Sequence, residues 1–298
     1  MRNADRQGDL RDFEENHLAG IIWLASYPKS GNTWMRAFLA TYIENPVSPL
    51  DINDLPNYAL GDSRADCYEP FAEKPVIGLT LAELAALRPK VQDWFAKSQA
   101  GNVFVKTHNM IARVAGEPLI APKPTAGAIY ILRNPLDVCV SFAHHFQITL
   151  DEAATILCEK NNRIPRDEKT VPQYIGSWGQ NVMSWMNAAG MILHVVRYED
   201  MLLNPADTFA SAVKFLDLPL EDDRLKRALD FTSFQSLKEQ EKEKRFIEGH
   251  KDGRAFFREG RAGVWRERLT GEQVTRIIEA NHRAMRRFGY LDEAGDPV

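Results

Sequence analysis

The most restrictive stretch of this sequence is a short apolar run that turns abruptly into a helix. Ile21, Ile22, Trp23 and Leu24 are followed by Ser26, Pro28, Ser30, Gly31 and Asn32, residues that stop a strand and shape a loop. Thr33 then opens the segment Trp34 to Tyr42, in which Met35, Phe38, Leu39 and Tyr42 recur at helical spacing. A buried strand that enters a helix through a polar loop is the start of an α/β unit, and the rest of the chain has to be compatible with it.

The same pattern returns at Val103 to Val105, at Ala128 to Leu132 followed by Pro135 and a helix through Phe146, and at Ile192 to Val196 followed by a helix to Leu216. Asn204 as cap with Pro205 at the first helical position marks the start of that last helix. Apolar strands alternating with helices predict an α/β fold with a central, mainly parallel sheet flanked by helices. Residues 44–100 form an insertion between the first two strands, with a helix over 81–97 expected to break or kink at Pro89. Insertions of this size often build pockets. Residues 241–268 carry Gly249, Gly253, Gly260 and Gly263 and more Lys and Arg than Asp and Glu, and read as a surface loop able to close over an anion. A helix from Gly271 to Phe288, stopped by Gly289, ends the pattern.

Composition narrows the function classes. The 298 residues suffice for one large α/β domain and show no linker-like break, so one domain is expected over 19–293, after a flexible tail at 1–18. A formal charge of -4 argues against a surface built for nucleic acid, so an anion site has to be local. Cys67, Cys139 and Cys158 match neither a zinc module nor a disulfide framework, and read as reduced packing thiols of a cytoplasmic protein. The first sixteen residues lack an apolar core and no stretch approaches the length of a membrane span, so neither export nor a membrane span is expected.

Three motifs carry chemistry. In Tyr27-Pro28-Lys29-Ser30-Gly31-Asn32-Thr33-Trp34, backbone N–H groups and the positive helix end can hold a phosphate, with Lys29 adding a charge and Thr33 a hydroxyl. This is not a Walker A loop, because Lys29 precedes Gly31 instead of following the second glycine. The alternative reading is a tight turn with an exposed lysine. In Leu132-Arg133-Asn134-Pro135-Leu136-Asp137-Val138-Cys139-Val140-Ser141, Arg133 at a strand end can fork onto a second phosphate, and Ser141, about 9 Å along the helix from Pro135, can contribute from one side. Arg133 could equally pair with Asp137. In Val105-Lys106-Thr107-His108, positions two apart face the same way, so Lys106 and His108 can reach one site, and an imidazole can take a proton near neutrality. A strand-end histidine with a purely structural hydrogen bond is the alternative there.

These motifs, in this order, resemble the cytosolic-type sulfotransferase family that uses 3'-phosphoadenosine 5'-phosphosulfate (PAPS) and releases 3'-phosphoadenosine 5'-phosphate (PAP). The resemblance runs from Trp23 to about Tyr290 and includes Tyr198-Glu199-Asp200-Met201 and the glycine-containing stretch Arg258 to Thr270. It implies a P-loop NTPase-like three-layer sandwich and transfer of a sulfuryl group to a hydroxyl or amine of a small-molecule acceptor. It also implies roles. Lys29, Ser30, Gly31, Asn32 and Thr33 would hold the 5'-phosphosulfate, with Trp34 stacking on adenine; Arg133, Ser141, Arg258 and Gly260 would hold the 3'-phosphate, and Tyr198, Thr232 and Phe234 would line the base. His108 would be the base, with Lys29 and Lys106 neutralising charge on the bridging oxygen and Ser141 restraining Lys29 until the acceptor arrives. No divalent metal is implied.

The chain departs from the family at Asn32, Glu259 and Val264. Glu259 would put a carboxylate beside the 3'-phosphate unless it points away. Gly271 and Thr275 break the family's short dimer motif, so a homo-oligomer cannot be carried over from it. Tyr58, Tyr68, Phe71, Phe142, His144, His145 and Phe146 could line an acceptor pocket or simply pack. Two other functions fit parts of the pattern. A P-loop small-molecule or nucleoside kinase would want a Walker lysine and a magnesium-binding acid, and a non-catalytic PAP-binding protein would not need Lys106 and His108.

Overall fold

The computed structural model describes residues 20–249 and 253–298; the tail expected at 1–18 lies outside the described residues. Five strands form one sheet: β1 (Gly20–Ser26), β2 (Leu60–Gly61), β3 (Asn102–Thr107), β4 (Thr125–Leu132) and β5 (Leu193–Arg197). Their order is β2-β3-β1-β4-β5, and every neighbouring pair is parallel.

Alternation along β1 explains why a continuous apolar run is needed at the centre. Ile21, Trp23 and Ala25 face one hydrophobic cluster, and Ile22 and Leu24 face another on the opposite side. The first cluster is closed by α2 (Leu81–Ala96), α3 (Pro135–Phe146), α4 (Leu150–Cys158), α5 (Trp178–Met186) and α10 (Gly271–Arg287). The second is closed by α1 (Asn32–Glu44), through Met35, Phe38, Leu39 and Tyr42, with α6 (Tyr198–Leu203), α7 (Pro205–Phe215) and α8 (Asp222–Phe231). The result is the three-layer arrangement expected.

Local signals account for most boundaries. Asn134 caps α3 with its side chain on Leu136 N, and Pro135 takes the first position. Pro205 likewise opens α7, but Asn204 caps only with its backbone carbonyl, which accepts from Thr208 N; its side chain makes no cap bond. The helix expected to break or kink at Pro89 carries through it as α2. A capping box between Thr80 and Glu83 starts that helix, and the buried stripe Leu84, Leu87, Val91 and Phe95 lies on both sides of the proline.

The charged segment from 241 differs most from its reading as a surface loop. Helix α9 (Phe234–Lys244) extends into it, and Phe246, Phe257, Val264 and Trp265 are buried. Phe246 and Phe257 join Leu237 and α1 residues Ala37 and Ala40 in a third apolar cluster. Apolar anchors inside a charged sequence therefore seat this segment on α1. The three thiols are unbridged, with Cys67 and Cys139 buried. Among the described residues, no helix is long and apolar enough to cross a membrane.

The topology fixes where a site can form. From β1 the chain crosses to β3 on one side and then returns to β4 on the other, so the C-terminal ends of these strands border a crevice at a switch point. Ala25 lies beside Thr107, Ser26 beside Ile131 and Leu132 beside Arg197, which brings the loops after all four long strands to one edge.

Candidate active site at the strand ends

The loop after β1 is shaped by two left-handed residues, Lys29 (φ 69°) and Gly31 (φ 103°). A Cβ on Gly31 would lie 2.7 Å from Tyr198 Cδ2, so conformation and space both require glycine there. No side chain caps the N-terminus of α1, which leaves its positive end to face the crevice. Ser30 is 1% exposed and its Oγ has no partner. Asn32 turns inward instead: its Nδ2 donates to Leu24 O (2.8 Å) and Ser26 Oγ (3.3 Å), bracing the loop against the strand it leaves.

Lys29 points over the crevice. Its Nζ lies 3.4 Å from His145 Nδ1 on α3 and 3.9 Å from the centre of the Phe256 ring. Burial pushes its ammonium down to about 7, helped by Arg133, Lys106 and Arg258 and opposed by Glu241. A lysine held this way gains from any anion that arrives. Ser141, half-buried on α3, was expected to restrain Lys29, yet Nζ is turned to His145 and Phe256.

His108 follows β3 and reaches across to β1. Its Nδ1 is 2.9 Å from Ser26 O and 3.2 Å from Ser26 Oγ. A carbonyl can only accept, so Nδ1 carries the proton and Nε2 keeps its lone pair. Burial, reinforced by Lys106, holds the imidazolium well below its ordinary range, so the ring is neutral at pH 7. The backbone around it is fixed by Asp62, which the sequence did not single out. Its Oδ2 accepts from Thr107 Oγ1 (2.7 Å) and Asn109 Nδ2 (2.8 Å), on either side of His108.

Arg133 leaves β4 toward the same edge. Its guanidinium carbon sits 4.2 Å from the Tyr198 ring centre, and one nitrogen donates to Lys29 O at 3.1 Å, while buried Nε has no partner. Asp137 is not its partner. That carboxylate accepts from Gly263 N (2.7 Å) and Trp265 N (3.0 Å), pinning the closing segment to α3. Within that segment Gly260 (φ 62°) packs on Phe234, where a Cβ would fall 2.4 Å from the ring. Arg258 is paired with Glu259 at 2.9 Å, and Glu259 also holds Arg261 at 3.0 Å.

The other residues singled out by sequence divide. Trp34 packs edge-on against Tyr198 (6.0 Å) and Phe209 (5.6 Å) beside the loop. Thr232 is buried and its hydroxyl donates to Ala228 O at 2.6 Å within its own helix end. Of the residues considered for an acceptor pocket, three gather at the end of α3 beside Lys29: Phe146 lies 4.3 Å from Phe142 and 4.8 Å from His145, whose ring faces Phe256 at 6.1 Å. Phe142 also lies 6.3 Å from Tyr27, whereas Tyr68 donates to Asp62 O, Phe71 faces Trp94 and Tyr58 packs in the third cluster. Phe256, which no pattern marked, is the ring that meets Lys29.

Two buried donors without partners, Ser30 Oγ and Arg133 Nε, and a lysine destabilised as a cation fit an anionic nucleotide across the ends of β1 and β4. Among the described residues no three His, Cys, Asp or Glu side chains are grouped to hold a metal ion.

Comparison with known proteins agrees. The family model described as "Sulfotransferase domain" matches residues 20–289. The chain is 24% identical over 302 residues to luciferin sulfotransferase of Photinus pyralis, covering 96% of this chain and 76% of that protein. It is 28% identical over 261 residues to sulfotransferase 1B1 of Canis lupus familiaris, covering 85% and 79%. Among solved structures, a mouse sulfotransferase complexed with PAP superposes with a TM-score of 0.58 at 19% identity, over 93% of this chain and 87% of that one. Retinol dehydratase in complex with androsterone and PAP gives 0.59 at 18%, over 89% and 80%; at these identities the likeness is one of fold. The chain belongs to the sulfotransferase family. Its enzyme class is that of the PAPS-dependent sulfotransferases.

Proposed function

We propose that this protein transfers the sulfuryl group of PAPS to a hydroxyl or amine of a small-molecule acceptor, with His108 Nε2 as the base. The observation that carries this reading is the bond between His108 Nδ1 and Ser26 O, which leaves a neutral ring with its second nitrogen available. When bound, PAPS supplies an activated sulfur: the acceptor O–S bond forms as the S–O bond to the 5'-phosphate breaks, and PAP leaves with the electron pair. His108 takes the acceptor's proton. Lys29 and Lys106 neutralise charge on the departing oxygen, and the Ser30–Thr33 loop holds the 5'-phosphate. Arg133, Ser141, Arg258 and Gly260 take the 3'-phosphate, and Trp34, Tyr198, Thr232 and Phe234 surround the base, Thr232 by its carbon surface. Lys and Arg meet the donor's charge without a divalent metal.

Residues 19–293 act as one sulfotransferase domain in the cytoplasm, with 44–100 on the acceptor side and 241–268 closing over the nucleotide. The test is thermal. PAP at a saturating concentration without magnesium raises the melting temperature, by about 2.7 kcal/mol of stabilisation at a hundred times its dissociation constant, and Arg133→Ala removes most of the response. Incubation with PAPS and a panel of phenols, alcohols and amines yields sulfated product by mass spectrometry. Stabilisation by ATP equal to that by PAP, or a magnesium requirement, overturns the reading in favour of a kinase.

A further inference from the structure

One charged side chain in the core is used by nothing described so far. Arg36, on α1 one turn after Thr33, is 2% exposed, yet its buried Nε has no partner. Its other two nitrogens grip the carboxylate of Glu248 in the closing segment, at 2.8 and 2.6 Å, and one of them also donates to Thr33 Oγ1 at 3.3 Å. Glu248 is 29% exposed. Burial alone would raise its proton affinity, but Arg36, Lys106 and Arg64 outweigh that and hold it down to about 2. Arg36 thus grips an anion that the chain supplies from its own closing segment, and the charges of Lys106 on β3 and Arg64 in the 44–100 insertion act on the same carboxylate.

Stability does not explain this arrangement, since a buried ion pair at best breaks even with apolar packing. Position does suggest a use. The donor's anions have the loop 29–33 and Arg133 for partners. Arg36 is close enough to His108 that its charge adds to that of Lys106 in disfavouring the imidazolium. Phe142, His145, Phe146 and Phe256 gather at Lys29, whereas the charges of Lys106 and Arg36 act on His108.

We propose that Arg36 is an acceptor-specificity residue, and that the acceptor carries a carboxylate beside its reacting hydroxyl or amine, which takes the place of the Glu248 carboxylate on the Arg36 fork. The proposal rests on the reading of this site as a PAPS-dependent transferase. Glu248, 29% exposed, can return to water, whereas Arg36 cannot, so the incoming carboxylate has to replace the Glu248 contact as it leaves. The carboxylate then lies on the His108 side of the site and orients the acceptor for proton removal.

The test uses matched acceptors, 4-hydroxyphenylacetate with 4-hydroxyphenylacetamide and 3-hydroxybutyrate with 3-hydroxybutyramide. Each is followed as sulfated product with PAPS and, independently of turnover, as binding to the protein–PAP complex. The carboxylate is preferred about tenfold or more, the scale of a bidentate charge-assisted contact. Glu248→Gln widens the preference by removing the competing anion. Arg36→Gln leaves Glu248 unpaired, so the folded double variant Arg36→Gln/Glu248→Gln is measured beside it, and in it the ratio falls to about one. A wild-type ratio at or below one, or a ratio unchanged in the double variant, overturns the proposal and makes the pair structural. A tenfold loss of PAP affinity in the double variant also overturns it, by placing Arg36 on the donor. Failure of PAP to bind the wild-type protein brings down the donor reading instead.

Discussion

Lys29 makes the nucleotide site a proton-linked one. An ordinary lysine ammonium loses its proton near 10.5, but here burial, with Arg133, Lys106 and Arg258, brings that down to about 7. The two phosphates of PAP favour the ammonium, so its pKa rises in the complex and binding above pH 7 takes up a proton. If binding requires the ammonium, the dissociation constant grows by a factor of about two at pH 7 and about a hundred at pH 9, close to 2.7 kcal/mol. A site made of arginines, which stay charged throughout this range, would show no such loss. Calorimetric titration of PAP between pH 7 and 9, at fixed ionic strength and in buffers of different ionisation enthalpy, reports both the affinity and the protons taken up. Lys106 is lowered by burial as well, with Glu248 opposing, so the deciding variant is Lys29→Met. It loses the slope and the proton uptake together. A wild-type affinity that is flat from pH 7 to 9, or a slope that survives in Lys29→Met, refutes the argument.

Two further outcomes follow from particular contacts. His108→Ala removes the base while costing about 1 kcal/mol for the lost Ser26 bond, so turnover falls by about two to four orders of magnitude and PAP affinity changes little; near-normal turnover of the folded variant would sink the mechanism. Glu259→Lys frees Arg258 from its 2.9 Å pair and tightens PAP severalfold at low salt, a gain that shrinks as salt is raised; equal affinity at low salt would show that Arg258 is not a phosphate ligand.

Much of the site was legible before any geometry because its signals are local. The apolar run of β1, the left-handed loop residues and the open start of α1 lie within some fifteen residues, and Asn134 with Pro135 starts α3 where the sequence places it. Lys29, Lys106, His108 and Arg133 could be picked out because each lies at or just after the C-terminal end of a strand. Elements without a local signal were missed. Strand β2 has two residues and no periodicity, and it exists because Leu60 and Gly61 lie against Val105 and Lys106 at the sheet edge. The persistence of α2 through Pro89 is a case of packing overriding a local preference, since the buried stripe continues on both sides of the proline.

By itself the sequence determined the α/β grammar, the strand-to-helix turn after β1 and the residues that crown each strand, because backbone propensity and hydrophobic period act over a few residues. Only the tertiary structure decided who pairs with whom. Asp137 serves the closing segment instead of Arg133, Glu259 holds Arg258, and Asp62 braces both neighbours of His108. Arg36 and Glu248 meet across 212 residues. Such contacts depend on how layers stack and on which charges are shut away from water together, and a chain carries no local mark of either until three-dimensional packing places them.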